Sequence, residues 1–234
     1  MNGRFLRNAC VPSGNLAVLA VAVASLVVLA GCGTGGYEER LSGCIRKLNA
    51  VANELRDPTP VAGANFTIRL PGTCQAALEG ADQRRTNAGP ITLPGSLTVY
   101  EVMVRDSVGG EQPYYLYVGS VGGGQKLAQV AAELQKQMKT QLTPQGEWVG
   151  VQAPTADGGA NQWRMLRATG KQVFYCRDKA GAESYPTMDG LLEVYLHEQG
   201  GSIVLVAWRM PSTLEANSQL SRWAPLVTGS LKAK

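Results

Sequence analysis

The stretch Gly190-Leu191-Leu192-Glu193-Val194-Tyr195-Leu196-His197-Glu198-Gln199-Gly200-Gly201-Ser202-Ile203-Val204-Leu205-Val206-Ala207-Trp208-Arg209-Met210 decides the fold. Leu192, Val194 and Leu196 recur every second residue and so share one face of a strand. Gly200-Gly201 supplies a tight turn, so residues 190–199 and 202–210 read as a β-hairpin. Its second arm is apolar without a break from Ile203 to Trp208, which places it at the centre of a sheet.

On the C-terminal side, Ser212 followed by Glu215 matches a capping box and predicts a helix start. Leu214, Leu220, Trp223, Val227 and Leu231 mark its apolar face, and Pro225 begins or kinks its final part. On the N-terminal side, strands are expected near 147–153, 161–169 and 171–177, with turns at Asp157-Gly158-Gly159 and Gly170. Leu127, Val130, Ala131, Leu134, Met138 and Leu142 lie on one face of a helix over 125–142. Val- and Tyr-rich strands precede it near 97–105 and 113–119. Gly89-Pro90-Ile91-Thr92 is a candidate short strand. Phe66, Ile68 and Leu70 alternate in a strand closed by Pro71-Gly72. Tyr37, Leu41, Cys44, Leu48, Val51 and Leu55 form an amphipathic stripe over 37–55, ended by Asp57-Pro58-Thr59-Pro60. No internal repeat of 20–50 residues is visible. Strands in runs joined by short turns predict an α+β fold, an antiparallel sheet flanked by helices.

The motif Phe66-x-Ile68-x-Leu70-Pro71, the central helix, the late hairpin, Trp223-x-Pro225 and Ser230-Leu231-Lys232 together resemble the PsbP/Mog1-like α/β sandwich over residues 62–232. Where that family often has a tryptophan after the opening proline, this chain has Gly72-Thr73-Cys74. The resemblance implies a non-catalytic binding or assembly module. It supplies no catalytic residues to carry over.

The N-terminus reads as a secretory signal, with Arg4 and Arg7 before an apolar run from Leu16 to Ala30. As a helix, that run would be about 22 Å long at 1.5 Å per residue, short of a bilayer core of about 30 Å. It ends in Leu29-Ala30-Gly31-Cys32, which resembles the lipobox of bacterial lipoproteins. The resemblance implies diacylglyceryl transfer to the Cys32 thiol and cleavage before it. Residue 33 is glycine rather than aspartate, which by the same resemblance favours the outer membrane, facing the periplasm. The expected organisation is a signal peptide over 1–31, a lipidated tether over 32–36, an amphipathic helix and linker over 37–61, and the α+β domain over 62–234. Loss of Arg4 and Arg7 takes the formal charge from +4 to +2. So small a charge, with dispersed basic residues, argues against nucleic acid as a partner. The expected partners are the membrane, through the N-terminal lipid, and an envelope protein or cell-wall component.

The five cysteines reduce to Cys44, Cys74 and Cys176 beyond the lipid site. They allow three pairings in an oxidising compartment, of which Cys74 with Cys176 is favoured because both fall at strand ends, and the alternative is that all three are buried and reduced. The one histidine, His197, reads as a surface strand residue, and no Gly-x-Ser-x-Gly elbow accompanies it. Gly122-Gly123-Gly124 lacks the Gly-Lys-Ser/Thr ending of a phosphate loop. Asp157, Asp178 and Asp189 do not reproduce a calcium-loop spacing. No catalytic residue, metal ligand or cofactor is therefore expected. Tyr115 and Tyr117 share a strand face and form a candidate partner surface, with Tyr114 on the other face. Three readings follow: a lipid-anchored, non-enzymatic binding or assembly module, a small-ligand carrier with a cavity between sheet and helices, and an envelope hydrolase.

Overall fold

The computed structural model describes residues 53–77, 91–105, 110–122 and 124–234, together with some of residues 39–49. The signal segment, Cys32, Cys44 and the glycine tether lie outside them. The chain divides into Met1–Arg46 and Lys47–Lys234. In the first unit, Glu39, residues 41–43, Ile45 and Arg46 are helical. Its Ser42 hydroxyl donates to the Glu39 carbonyl at 3.0 Å.

The second unit contains thirteen strands among its described residues. They are β1 (Thr59–Pro60), β2 (Phe66–Ile68), β3 (Gln75–Ala76), β4 (Ser96–Arg105), β5 (Glu111–Val121), β6 (Thr143–Pro144) and β7 (Val149–Pro154). After these come β8 (Ala160–Val173), β9 (Cys176–Arg177), β10 (Glu183–Ser184), β11 (Thr187–Gln199), β12 (Ser202–Pro211) and β13 (Lys232–Ala233). With them come α1 (Leu127–Gln141) and α2 (Leu220–Gly229) and a 3₁₀ turn at Ser212–Leu214, and Asn49, Asn53 and Glu54 are helical as well.

The backbone of the large sheet runs β4-β5-β12-β11-β8, antiparallel throughout. β3 adds to the outside of β4, β6 and β7 pair with separate stretches of β8, and the β9–β10 ribbon extends from the start of β5. The expected hairpin is present, with Gln199 opposite Ser202 and Gly190 opposite Pro211. Gly200 and Gly201 have φ of 59° and 75°, the pair of left-handed residues that a two-residue hairpin turn requires. β12 lies between β5 and β11, where its unbroken apolar run is buried from Ile203 to Trp208.

Both faces of this sheet are covered. On one, Val130, Ala131, Leu134 and Met138 of α1 pack against Tyr115, Tyr117, Leu166, Leu192, Val194 and Leu205. On the other, Trp163, Tyr195, Val206 and Trp208 meet Phe66, Ile68 and Leu70, and also Leu220, Ala224 and Val227 of α2. The cover on this second side includes a separate three-stranded sheet, β1-β2-β13, as well as α2.

This architecture corrects the expected helix-flanked, PsbP/Mog1-like α+β sandwich: the fold is β-rich. Five strands of 10 to 14 residues build the main sheet, against one helix of 15 residues and one of 10. Three local misreadings produced the difference. Gly170 is no turn, because β8 runs straight through it; Leu142 packs on it so closely that a Cβ would lie 2.9 Å from the Leu142 Cδ2. Ser212 starts only a 3₁₀ turn, and the helix proper begins at Leu220. Of the candidate short strand at 89–92, residues 89 and 90 lie outside the described residues, and Ile91 and Thr92 form no strand. In addition, the expected linker before residue 62 is built into the domain. Leu55 and Val61 are buried, and β1 pairs with β2.

Three expected surface features are corrected too. Tyr115 and Tyr117 do share a face, but it is the face under α1, and their exposures are 0% and 2%. They present no partner surface. His197 is buried on the opposite face, stacked 5.0 Å from the Trp163 ring. Cys74 is a buried free thiol, so the Cys74–Cys176 bridge is not formed. Burial pushes the Cys74 thiol up to about 12.

Candidate functional site

Because both faces of β11 are covered, its alternation delivers two different cores. The odd positions Leu191, Glu193, Tyr195 and His197 point toward the α2 side. A carboxylate buried in such a strand needs a partner. Register supplies one, since Glu193 stands directly opposite Arg167 on β8. The Arg167 Nη1 lies 3.7 Å from Glu193 Oε2. Its Nη2 donates to Glu215 Oε1 at 2.5 Å. Glu215 thus spends its carboxylate on a strand 48 residues away instead of closing a capping box.

The Tyr195 hydroxyl donates to Glu193 Oε1 at 2.7 Å. Its ring stands edge-on to Trp208 at 5.4 Å and to Trp163 at 6.4 Å, so packing fixes the donor. Burial raises the Glu193 carboxyl above the usual carboxylate range, and the nearby Glu215 charge adds to that. The Tyr195 hydrogen bond and the Arg167 guanidinium oppose it. Tyr195 itself is held far above the ordinary phenol range by burial and by the Glu193 charge.

This cluster opens into a cleft of about 630 Å³ at the edge where α2 meets the sheet. Thr213, Gln219, Ser221 and Pro225 complete its polar and apolar walls. Gln219 sets the cleft's outline, because it enters α2 from a left-handed conformation at φ 53°. That reversal turns Leu220 and Ala224 into the core. On the opposite side of the helix, Arg222 pairs with Glu54.

Of the residues that the sequence marks, Ser212, Glu215, Leu220 and Pro225 lie in this cleft, and the sequence marks them as helix-cap, apolar-face and kink positions rather than as functional groups. His197 is close in sequence, yet both its ring nitrogens are engaged, with the Gln162 carbonyl at 2.6 Å and with Gln199 Oε1 at 3.2 Å. Cys176 lines a separate cleft of about 530 Å³ with Gln112, Arg177 and Lys179. A buried guanidinium, Arg209, lies on the α1 side of the sheet. It rests 4.4 Å from the Phe174 ring centre and donates from Nε to Gln172 Oε1 at 3.0 Å. No group of His, Cys, Asp or Glu suited to a metal ion occurs among the described residues. The sequence signal that was passed over is Glu193 itself, a carboxylate inside the run Leu191-Leu192-Glu193-Val194-Tyr195-Leu196.

No protein-family model matches the chain, and no curated protein matches it. A crystal structure from Bacteroides thetaiotaomicron VPI-5482 is similar at 11% identity and a TM-score of 0.39. The match covers 76% of this chain and 48% of that one, so the chain spans about half the length of this structural neighbour.

Proposed function

We propose that this chain is a lipid-anchored, non-enzymatic binding module of the bacterial envelope, holding a small polar ligand in the cleft between β8, β11 and α2. The observation that carries the binding reading is the Arg167–Glu193–Tyr195–Glu215 cluster, buried at Glu193 and Tyr195, which opens on a cavity of about 630 Å³. Concave sites of this size, with a few fixed polar groups against apolar walls, suit small molecules better than a flat protein partner. A carrier therefore fits the geometry better than an assembly surface. A hydrolase is disfavoured, because His197 has both nitrogens committed and both carboxylates are tied to one guanidinium.

The anchor reading rests on Leu29-Ala30-Gly31-Cys32 after an apolar signal core. Acyl chains on Cys32 would hold the domain at the membrane without any spanning helix. Among the described residues, no helix is long and apolar enough to cross a membrane. The reading places the domain at the outer membrane, on the periplasmic side. Two experiments test the two halves. Cys32→Ser should abolish palmitate labelling in growing cells and leave uncleaved precursor; unchanged labelling refutes the anchor. Saturation-transfer NMR of a polar fragment set against the detergent-solubilised protein should give hits that Ser221→Trp, which fills the cleft, removes. Hits that survive Ser221→Trp, or no hits, refute the cleft as a ligand site.

A further inference from the structure

The apolar stripe that the sequence places over 37–55 changes surroundings along its length. At its C-terminal end, Leu55 is 5% exposed, belongs to the domain core and bridges to Pro71. Nearer its N-terminal end, Leu41 and Ile45 are 46% and 49% exposed. The first unit ends at Arg46, and none of its described residues is buried. Leu41 and Ile45 are helical and four residues apart, so their side chains share one face. Ser42 and Arg46 share another, where the Arg46 Nε donates to the Ser42 carbonyl at 3.3 Å. A helical piece this short is marginal in water on its own, and its uncovered apolar face needs a cover.

The position of the helix says which cover is at hand. Cys32, the proposed acylation site, lies seven residues before Glu39, where the described helix begins. A glycine-rich tether of that length has a root-mean-square span of about 15 Å and cannot exceed about 25 Å. Acyl chains on Cys32 therefore keep this face beside a bilayer at an effective concentration on the order of millimolar. Two half-exposed aliphatic side chains would not hold a free protein to a membrane. With the acyl chains as the first attachment, they serve as the second signal that stable anchoring takes. At helical spacing Arg40 and Lys47, seven residues apart, fall on one line along the edge of the stripe, where cations meet headgroup phosphates. A coiled coil with a second copy fits less well. It takes three to four heptads of apolar seam, whereas this stripe runs for fewer than three and spends Leu55 on the domain core.

We infer that the helix at 39–46 lies in the interface of the membrane that carries the anchor, with Leu41 and Ile45 turned into the boundary between headgroups and acyl chains. The anchor then has two footholds rather than one. This inference rests on Cys32 being acylated, and the experiment separates the two.

Hydrogen–deuterium exchange of the lipidated protein, purified from cells and reconstituted in vesicles of phosphatidylethanolamine and phosphatidylglycerol, tests it. Amides of the 39–49 peptide should exchange at least about tenfold more slowly in the wild type than in Leu41→Asp combined with Ile45→Asp. Peptides of the 190–210 hairpin should be equally protected in both, which shows that the variant folds. Leu41→Ser combined with Ile45→Ser should shift exchange in the same direction without adding charge. Equal exchange of the 39–49 peptide in the wild type and both variants overturns the inference. Protection that falls as the protein is diluted into excess lipid assigns the face to a second copy and also overturns it. The mass of the N-terminal peptide reads the anchor separately. Absence of acyl mass on Cys32 removes the anchor and this inference with it, whereas an acylated Cys32 with a freely exchanging 39–49 peptide removes the interfacial helix alone.

Discussion

Arg167→Met isolates the electrostatics of the cleft. The substitution keeps an unbranched apolar stem and removes the guanidinium. At pH 8 the Glu193 carboxylate, 7% exposed, is then left with the Tyr195 hydroxyl as its hydrogen-bond donor. Removing one partner of a fully buried ion pair costs about 3–5 kcal/mol. Arg167 keeps 27% exposure and sits 3.7 Å from Glu193, so water replaces part of the lost interaction and the expected loss is about 2–3 kcal/mol. With a urea slope of about 2 kcal/mol per molar, the unfolding midpoint should fall by about 1 M. At pH 4.5 the result differs. A carboxyl whose folded pKa lies above its unfolded value binds a proton on folding. Its contribution is therefore full below about 4.5 and is lost as pH rises through the folded value. Arg167 lowers the folded value, so removing it raises that value further and deepens the loss toward alkaline pH. At pH 4.5 the raised Glu193 carboxyl holds more of its proton than a free one in both proteins, so the loss shrinks toward that of the partly exposed Glu215 pair, worth about 0.5 kcal/mol. Urea titrations followed by tryptophan fluorescence at the two pH values decide the matter. A midpoint drop of equal size at both would refute a buried, proton-binding Glu193.

Three other perturbations probe the scaffold. A Cβ at Gly229 would overlap the carbonyl oxygen of Pro154, a backbone atom that cannot swing away. Gly229→Ala should therefore cost about 2 kcal/mol or more by forcing α2 off β7, read as a fall in the thermal midpoint. Trp208 is 1% exposed and braces Tyr195 edge-on; Trp208→Ala should cost about 3–5 kcal/mol in urea unfolding. The Cys74 thiol, pushed up to about 12 by burial, should stay unlabelled by iodoacetamide at pH 8 until urea exposes it. Peptide mass spectrometry showing rapid native labelling would contradict that burial.

The parts of the fold legible in the sequence are those whose signal is local. The hairpin at 190–210 has its period and its turn in one window, and the apolar stripe over 125–142 has six positions, five of them in α1. Central burial of β12 could be read directly, because a strand covered on both faces has no polar side to conserve. The misreadings occur where a local signal met a distant partner. Gly170 punctuates the sequence like a turn, yet it is glycine because Leu142 rests on the strand there. Ser212 and Glu215 have the spacing of a cap, but the Glu215 carboxylate is worth more on Arg167, a charged donor, than on a backbone N–H. Tyr115 and Tyr117 alternate as expected, but alternation does not say whether the second face is wet; α1 covers it.

The same reasoning explains why the cleft was invisible. Its four central side chains come from β8, β11 and the turn before α2, and no window of sequence holds them together. What one window does hold is a contradiction. β11 lies between β8 and β12, both its faces are covered, and every residue from Gly190 to His197 is buried, yet position 193 is a glutamate. A sequence selected only for packing would place an aliphatic residue there, since a buried ion pair seldom repays its desolvation. The aromatic row of Trp163, Tyr195 and Trp208 shows that this region can be packed densely with apolar groups. The carboxylate, its opposed arginine and the adjoining cavity therefore form one local departure from an otherwise consistent core. Such departures concentrate where stability is given up for function.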